Sequence, residues 1–500
     1  MKDFHVKQKP LSSLVSMGGG AFSLFNKSGG GGPQYWSLQL RPNTYSALTS
    51  GGGNGPRVDG DGNVYASFYF SDNSGNSERL AGIVKTDSSG VVQWVKGYSD
   101  TSTSVSSYSH DVASNGTVFH AYRTSSNDHV EHQLLSTDGA TQTWSRRLGN
   151  GPGSGNRIEG NIACRIAPNG DYIVSGLDRD QIDSNANSFI MFRLNSSNGT
   201  IVDDNGLYSN SSGSNPEPGR QFGVDSSSNS YFAMYYYDIP QSPNYAQAST
   251  VVKYNSSGTE QWKKHFQIYS SGLSQWDVLR FNGCDVTPGG DVYAYGTYVQ
   301  GSQFSGSRGL IIKIDSNGDS QWAKSVPKES GTGGDIDYSG CVDSSGNFYW
   351  AESNRYNSNS SRPSVVIHKM NSSGVVQWAR ELYHNTHTTS GLSWGFISVD
   401  SNDNLYIQCY GKVTSSSDPN GFYMIKVPTD GTETGDYGPL TWATKTARTL
   451  SAVPKWSSSG YNTGNSSLSS TSNPNSVEGS FTINITDFPS PTVNNVNSKT

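Results

Sequence analysis

The chain has 500 residues, a formal net charge of −6 and only 15% charged residues, against about 25% in ordinary globular domains. Its Lys and Arg residues never form a run longer than a pair, such as Arg146-Arg147, so the basic stripe that contacts a nucleic-acid backbone is missing. No stretch approaches the roughly 18 consecutive apolar residues that span a bilayer. These features exclude nucleic acid as a partner and insertion into a membrane.

The sequence of residues 1–33 predicts a non-globular arm that lies outside any folded domain. The opening MKDFHVKQKPLSSLVSMGGGAFSLF carries positive charge, but its apolar run is broken and no small-residue cleavage site follows, so we predict no signal peptide. Pro10 and Gly18–Gly20 also interrupt any helix here. The arm can bury its apolar and glycine residues only against another protein, and the candidate anchor residues are Pro10, Leu11, Leu14, Val15, Met17, Gly18, Gly19, Gly20, Phe22, Leu24 and Phe25.

Two short phrases recur along the middle of the chain and define a repeat. One ends in Trp after a turn of Asp or Asn, Ser and Gly, as in DSSGVVQW at Trp94 and NSSGVVQW at Trp378. The other places an apolar residue after a turn of Asn, Asp or Gly, about 54 to 62 residues apart, at Tyr65, Phe119, Ile173, Tyr231, Tyr293, Tyr349 and Tyr406. Seven copies of one unit indicate a stacked or circular architecture.

Each copy predicts four short antiparallel strands. In the fifth copy they lie at about Gly283–Val286, Asp291–Thr297, Leu310–Ile314 and Ser320–Val326, separated by turn residues. We therefore predict an all-β fold over residues 34–442: a seven-bladed β-propeller of four-stranded antiparallel blades.

The segment around Trp36 predicts how the ring closes. PQYWSLQL resembles the QWAKSV that ends the fifth copy, and Trp36 stands one repeat period before Trp94. We predict that this N-terminal strand completes the seventh blade, whose other strands come from about Phe396 to Val427, and so leaves no exposed edge. Trp442 is the rival for this position.

The repeated aromatic residues are predicted to be structural. Such side chains bury large areas between adjacent blades, and truncating one costs roughly 3–5 kcal/mol. The predicted blade residues are Trp36, Trp94, Trp144, Trp262, Trp322, Trp378, Tyr65, Tyr231, Tyr293, Tyr349 and Tyr406.

Residues 443–500 are rich in Ser, Thr and Asn and predict an extension that is partly strand-forming. SSSGYNTGNSSLSSTSNPN is typical of a loop or linker. Phe481–Ile485 alternates apolar and polar residues, which predicts a strand added to another sheet or to another copy of the chain.

Reactive groups are scarce in the sequence. Asp59, Asp61, Asp315 and Asp319 space their oxygens as calcium loops do, but no bidentate Glu follows, and tight turns favour the same residues. They are weak metal candidates. No nucleophile elbow, zinc helix, phosphate loop or carboxylate pair is present, so no catalytic residue and no cofactor is assigned. The four cysteines lack metal-site spacing and predict buried thiols: Cys164, Cys284, Cys341 and Cys409.

Two resemblances bear on function. The stretch KQKPLSSLVSMGGGAFSLF resembles the short N-terminal element of tail-appendage proteins of marine bacteriophages, including phages of cyanobacteria and of pelagic alphaproteobacteria. The repeats resemble a bacterial β-propeller repeat family with D-x-x-G-N-x-Y and D-x-x-G-x-x-x-W phrases. The second phrase also resembles the Asp-box of sialidases and the tryptophan motif of quinone-dependent dehydrogenases, where it serves blade folding and carries no catalytic residue.

The first resemblance implies a non-enzymatic virion protein. It would be a tail fibre, nozzle or appendage component, made in the host cytoplasm, docked by its arm to other tail or capsid proteins and present in several copies per particle. The long loops Asp178–Asn187, Tyr236–Ala248 and Ser353–Arg362 would then reach a host-surface glycan or receptor. The alternatives are a glycan-active, sialidase-like or redox propeller enzyme with its site at the channel mouth, a capsid decoration protein, and a bacterial surface propeller.

Overall fold

The computed structural model describes most of the repeats and parts of the C-terminal extension. The described residues are 35–41, 45–50, 54–72, 79–99, 105–124, 130–139, 141–148, 157–183, 186–208, 217–238, 246–268, 278–299, 308–327, 339–354, 363–385, 391–412, 420–453, 461–465, 469–471, 478–479, 484–487 and 492–498. The predicted arm and all of its anchor residues, Pro10 to Phe25, lie outside them. The described residues form strands and turns, and they include no helix long and apolar enough to cross a bilayer.

The strands of the first half are β1 (Trp36–Arg41), β2 (Tyr45–Ser50), β3 (Arg57–Val58), β4 (Val64–Asp72), β5 (Arg79–Thr86), β6 (Val92–Ser99), β7 (Val105–Val112), β8 (Val118–Thr124), β9 (Val130–Leu135), β10 (Gln142–Leu148), β11 (Arg157–Ile166), β12 (Tyr172–Asp183), β13 (Ala186–Leu194), β14 (Ile201–Tyr208), β15 (Glu217–Pro218), β16 (Gly223–Val224), β17 (Ser230–Asp238), β18 (Ala246–Tyr254) and β19 (Glu260–Ile268).

Those of the second half are β20 (Val278–Val286), β21 (Val292–Val299), β22 (Arg308–Ile314), β23 (Ser320–Val326), β24 (Ser339–Val342), β25 (Phe348–Asn354), β26 (Ser364–Met370), β27 (Val376–His384), β28 (Ser393–Val399), β29 (Asn404–Lys412), β30 (Asn420–Pro428), β31 (Gly435–Tyr437), β32 (Leu440–Lys445), β33 (Ser451–Ala452), β34 (Tyr461–Asn465), β35 (Ser469–Thr471), β36 (Glu478–Gly479), β37 (Asn484–Asp487) and β38 (Thr492–Ser498).

The repeats fold into four-stranded antiparallel units, which we number in chain order. They are unit I (β2 with β3, then β4, β5 and β6), unit II (β7 to β10), unit III (β11 to β14), unit IV (β15 with β16, then β17, β18 and β19), unit V (β20 to β23), unit VI (β24 to β27) and unit VII (β28, β29, β30 and β1). The first strand of each unit lies innermost. The tight turns after the first and third strands lie at one end of the ring, the turn face, and the longer connections lie at the other, the loop face.

The prediction of seven separate blades is wrong in its count, because the hydrogen-bonded sheets among the described residues number six. Units IV and V share one eleven-stranded sheet, in which β18 and β20 pair in parallel with Gln247 opposite Val278. The two inner strands are also joined directly, since Arg220 N–H donates to Asn282 O at 2.8 Å and Cys284 N–H donates to Gln221 O at 3.1 Å. Main-chain hydrogen bonds are thus added here to the side-chain packing between the two units.

The ring closes through the N-terminal strand. β1 pairs antiparallel with β30, with Trp36 opposite Lys426 and Leu40 opposite Phe422. Trp442, the rival, lies in β32 and pairs with β27 of unit VI instead. The closing strand is further held by Ser37 Oγ, which donates to Tyr437 O at 2.8 Å.

The core lies between neighbouring units. Alternate residues of each strand pack against the unit on either side, as where Tyr231 and Val251 of unit IV meet Phe281 and Ile312 of unit V, all fully buried. The predicted thiols Cys164, Cys284, Cys341 and Cys409 are all free and buried in these interfaces. Burial raises the pKa of the Cys284 thiol to about 12, which leaves it unreactive.

All three predicted loops fall partly in strands. Asp178–Asn187 is largely strand, since β12 runs to Asp183 and β13 begins at Ala186. Of the other two loops, Tyr236–Asp238, Ala246–Ala248 and Ser353–Asn354 belong to strands, and residues 239–245 and 355–362 lie outside the described part of the chain.

Candidate functional site

Six of the seven outermost strands, all but that of unit III, are fastened to the next unit by a tryptophan. The ring lies against the glycine of that unit's outer turn, and the indole N–H donates to a turn carbonyl at 2.9 to 3.2 Å. The donor and acceptor residues are Trp36 and Ser88, Trp94 and Thr137, Trp144 and Ser196, Trp262 and Ser316, Trp322 and Ser372, and Trp378 and Thr429. These six residues therefore lie in structural contacts between units.

The predicted tyrosines are fixed at the turn face. Tyr293 donates its hydroxyl proton to Gly346 O of the next unit at 2.8 Å. The other four, nearly or fully buried, donate to the aspartate of their own inner turn at 2.8 to 3.0 Å: Tyr65 to Asp59, Tyr231 to Asp225, Tyr349 to Asp343 and Tyr406 to Asp400. Both kinds of contact close a turn and leave no group available for chemistry.

The weak calcium candidates are engaged in the same turns. Asp59 Oδ1 accepts the N–H groups of Asp61 and Asn63, and its Oδ2 accepts from Asn63 and Tyr65. Asp315 is bound in the same way by the N–H groups of Asn317 and Asp319 and by Gln321. Asp61 and Asp319 are exposed on the turns. Among the described residues no group of three or more His, Cys, Asp or Glu side chains could hold a metal ion.

A belt of charged residues lines the axis near the turn face. It occupies one position of the inner strands, two residues before the turn, and comprises Arg57, Asp111, Arg165 and Asp285. Arg57 Nε lies 3.3 Å from Asp111 Oδ1, and Arg165 Nη2 lies 3.8 Å from Asp285 Oδ1. The equivalent residue of unit IV is Gly223, where a Cβ would come within 2.7 Å of Val286 Cγ1 of unit V.

The belt also joins neighbouring backbones. Asp111 Oδ2 accepts the Ile166 N–H at 2.8 Å, and Asp285 Oδ2 accepts the Val342 N–H at 3.0 Å. Burial raises the pKa of Asp285 to about 6, against the lowering effect of Arg57. The pKa of Asp111 is raised by the same cause. The belt residues lie before the repeated phrases, so the phrases themselves do not include them. Aligning the copies at their inner turns places all four at one position in the sequence.

Two buried amides link inner strands of different units. Gln221 Nε2 donates to Gly340 O at 2.8 Å, while its Oε1 accepts from Tyr295 at 2.9 Å. Asn54 Nδ2 donates to Ser109 Oγ at 2.8 Å and to Cys164 O at 2.7 Å. Each amide therefore reaches past the neighbouring unit to the unit after it, and both side chains serve the structure of the ring.

A second polar group lies toward the loop face, at the joint of units IV and V, and we call it the Tyr235 cluster: Glu217, Tyr235 and Arg280. Glu217 stands opposite Tyr235 in the β15–β17 pairing, and its Oε2 accepts the Tyr235 hydroxyl proton. The Arg280 guanidinium carbon lies 3.9 Å from the centroid of the Tyr235 ring. Tyr235 is four residues beyond Tyr231, hence about 13 Å farther toward the loop face.

The cluster has two features typical of binding sites. Arg280 Nε is a buried donor with no hydrogen-bond partner among the described residues, and such donors are costly unless satisfied. Beside it, Asn161 has φ of 43°, and left-handed backbone at a residue other than glycine is found often at ligand sites. Its Nδ2 donates to Pro218 O at 2.9 Å and its Oδ1 accepts from Arg220 Nε at 3.4 Å.

The sequence did not reveal the Tyr235 cluster. Glu217 lies in a two-residue strand after a polar loop, and Arg280 has no counterpart in the repeated phrases. The contact of Glu217 with Tyr235 forms where the first strand of unit IV is interrupted between β15 and β16. In that interruption Gly219 N–H donates to Ala233 O. No pattern with a fixed spacing predicts such an irregular strand.

Comparison with known proteins gives a fold and no family. No protein-family model and no curated protein matches the sequence. Among solved structures, the polysaccharide lyase Uly1 is similar over 78% of this chain and 99% of its own, with 9% identity and a TM-score of 0.50. The phage phi92 endosialidase matches 79% of this chain and 69% of its own at 10% identity and a TM-score of 0.41.

A GH93 α-L-arabinofuranosidase of Fusarium graminearum matches 79% of this chain and 98% of its own, at 12% identity and a TM-score of 0.37. At such identities the likeness concerns the fold. The prediction of a non-enzymatic protein is corrected to this extent: the fold is shared with an enzyme, the polysaccharide lyase Uly1, so the fold gives no argument against catalysis.

Proposed function

We propose that this protein is a glycan-active propeller enzyme that cleaves an acidic polysaccharide at the Tyr235 cluster. The observation that carries the proposal is the contact of three side chains at one joint of the ring: Tyr235 donates to Glu217 and lies under Arg280. The cluster lies toward the loop face, where long connections can surround an extended chain. The fold shared with a polysaccharide lyase supports the same class of substrate.

The Tyr235 and Glu217 pair is suited to proton transfer and covalent chemistry. A carboxylate that accepts a phenolic hydrogen bond can take that proton as the tyrosine oxygen attacks a reacting carbon. In glycoside cleavage the bond from the anomeric carbon to the leaving sugar breaks as the new carbon–oxygen bond forms, and the leaving oxygen takes a proton from solvent. Water then hydrolyses the bond between tyrosine and sugar, which restores the tyrosine hydroxyl. A tyrosine nucleophile is one recognised exception to the two-carboxylate arrangement of glycosidases. The lack of a carboxylate pair in this sequence therefore does not exclude glycan cleavage.

Arg280 selects the charge of the substrate. A guanidinium offers only N–H donors, and the Nε of Arg280 has no hydrogen-bond partner among the described side chains and backbone. A guanidinium binds the carboxylate of an acidic sugar more strongly than it binds a neutral sugar hydroxyl, because its N–H donors match the two carboxylate oxygens. We therefore expect the substrate to carry carboxylates.

The test is an assay of the full chain on polysialic acid, alginate, hyaluronan and neutral dextran. We expect cleavage of an acidic polymer and none of dextran, followed as new reducing ends and as the ultraviolet absorbance of an unsaturated uronate. Hydrolysis raises only the first signal and elimination raises both. Tyr235→Phe should slow cleavage at least about 100-fold, as expected for loss of a reacting group. Arg280→Ala should mainly raise KM.

Tyr293→Phe is the matched control. It also removes one buried tyrosine hydroxyl, but on the turn face, where that hydroxyl donates to Gly346 O of the next unit. We expect its cleavage rate to stay within about twofold of the parent. Equal rates for Tyr235→Phe and the parent would show the cluster to be structural. Binding of an acidic polymer without cleavage would contradict the enzyme proposal and indicate a lectin-like, glycan-binding protein.

A further inference from the structure

The C-terminal extension lies along the outside of the ring. Its successive strands pair with the outermost strands of successive units, in the reverse of chain order and always antiparallel. The pairs are β32 with β27, β33 with β23, β34 with β19, β35 with β14, β36 with β10, β37 with β6, and β38 with β1. We call residues 440–498 the strap. The strand predicted near Phe481–Ile485 is realised as β37, on this chain's own unit I.

The strap covers every outer edge. The outermost strand of a propeller unit has one side of its backbone unpaired, and such edges invite strand addition by other chains. Here each outermost strand has a partner on both sides, its own third strand and a segment of the strap. These contacts are made by the main chain, so they do not require the apolar pattern that marks a core strand.

The pairings of the strap differ in length. β32 pairs over six residues and buries Leu440 and Trp442 completely, with Trp442 edge-on to Trp378 at 6.3 Å between ring centroids. β34 and β38 each pair over five residues, whereas β33 and β36 span only two each. The strap is thus held most extensively at its two ends and at β34 between them.

The last strand of the strap pairs with the strand that closes the ring. Trp36 stands opposite Ser498 on one side and opposite Lys426 on the other. The cysteines of the ring are free, so this closure has no covalent lock. β38 therefore adds a second set of main-chain bonds to the one strand that joins the two ends of the repeat array.

We propose that the strap is a main-chain lock: it shields the outer edges against strand addition by further copies of this chain, and through β38 it keeps β1 in the ring. The inference rests on the strand pairing and is independent of the proposed function. Release of β38 should free the outer edge of β1 and let β1 itself exchange with solvent and with other copies.

The test uses the full chain with Val493→Pro and Asn494→Pro as separate variants. These residues stand opposite Leu40 and Gln39, and in an antiparallel pair alternate residues direct their N–H to the partner strand, so one of the two variants removes a donor. We expect hydrogen exchange of the Ser37–Leu40 amides to accelerate at least tenfold in that variant. The amides of β23 and β27 should be unchanged. Light scattering should show self-association at concentrations where the parent is monodisperse.

Val493→Ala and Asn494→Ala are the controls, because they keep the N–H group. A synthetic peptide of residues 484–498, added in excess to a proline variant, should restore slow exchange, which a misfolded chain would not do. The inference is overturned if β1 exchanges equally in both proline variants and the parent. It is also overturned if residues 492–498 of the parent exchange at the rate of an unstructured peptide.

Discussion

The glycines of the outer turns are required by the tryptophans that pack on them. Gly90 has φ of 85°, and a Cβ there would come within 2.5 Å of Trp36 Cδ2. The turn sequence Asp-Ser-Ser-Gly therefore serves two purposes: glycine supplies the left-handed turn, and its bare face accepts the indole ring of the neighbouring unit. Only the first purpose is visible within one copy of the repeat.

The two contributions can be separated by a pair of alanine substitutions. Gly170 has nearly the same φ, 90°, but a Cβ there meets nothing within 4 Å. We expect Gly170→Ala to lower the free energy of unfolding by about 1–2 kcal/mol, the cost of the left-handed backbone alone. Gly90→Ala should lower it by roughly 3 kcal/mol or more, since Trp36 must also move.

Urea unfolding of the two variants and the parent measures both values. Trp36 fluorescence should also shift in Gly90→Ala and stay constant in Gly170→Ala. Equal losses in the two variants would show that the tryptophan contact contributes nothing to closure.

At the scale of the elements, the joints between neighbouring units depart from the repeat pattern in different ways. Unit III lacks the tryptophan and carries Asp203 in its β14, and Asn205 Nδ2 instead donates to Gly258 O of unit IV at 3.0 Å. Units IV and V share a sheet, and the charged belt joins unit I to unit II and unit III to unit V. The joints are therefore chemically distinct, and the Tyr235 cluster occupies one of the irregular ones.

The belt predicts an unusual dependence of stability on pH. Because the pKa of Asp285 is raised to about 6 by burial, the folded chain binds its proton more tightly than the unfolded chain, so this group's contribution to stability falls as pH rises from about 4 to 6. Asp285→Asn removes the effect. The free energy of unfolding of the variant, relative to the parent, should rise by up to about 3 kcal/mol across this range.

Buried His110 has the opposite effect on how stability depends on pH. Burial lowers its pKa to about 3, so the folded chain keeps it neutral and stability falls as pH drops from about 6.5 toward 3. Denaturant midpoints measured from pH 4 to 7 should separate the two effects. Asp319→Asn, on an exposed turn, is the control for the loss of one carboxylate. A parallel profile for Asp285→Asn and the parent would contradict the assignment.

At the scale of the whole molecule, the first and the last strand of the described residues lie side by side. β1 begins at Trp36, and β38 ends at Ser498 opposite Trp36. The paired segments of the strap therefore follow the circumference from unit VI back to the strand that closes the ring.

The attachment itself remains a prediction from the sequence of residues 1–33. We expect deletion of Met1–Lys27 to leave the ring folded, since β1 and its partners are intact, and to abolish incorporation into phage particles. Particle-associated protein measured by immunoblot, with circular dichroism of the purified variant as the control for folding, gives the answer. Incorporation at the parental level would contradict the anchor.

The sequence by itself determined the repeat, the four strands of each copy and the turns. It favoured the Trp36 strand over Trp442 for closing the ring, and the structure decided between them. The strands and turns are local: a turn needs particular residues at fixed offsets, and a strand needs a short apolar or alternating run, so both are written in neighbouring positions. The strand predicted at Ser320–Val326 has the same limits as β23. The strand predicted to begin at Gly283 begins at Val278 in β20.

Only the tertiary structure decided how the units join and where chemistry is possible. The merging of units IV and V, the belt of Arg57, Asp111, Arg165 and Asp285, and the Tyr235 cluster all bring together residues far apart in sequence on strands with no shared motif. The strap is the clearest case, since pairing through the main chain leaves almost no trace in side-chain patterns. Contacts made by backbone, or by single residues across a ring, exist only once the ring has closed.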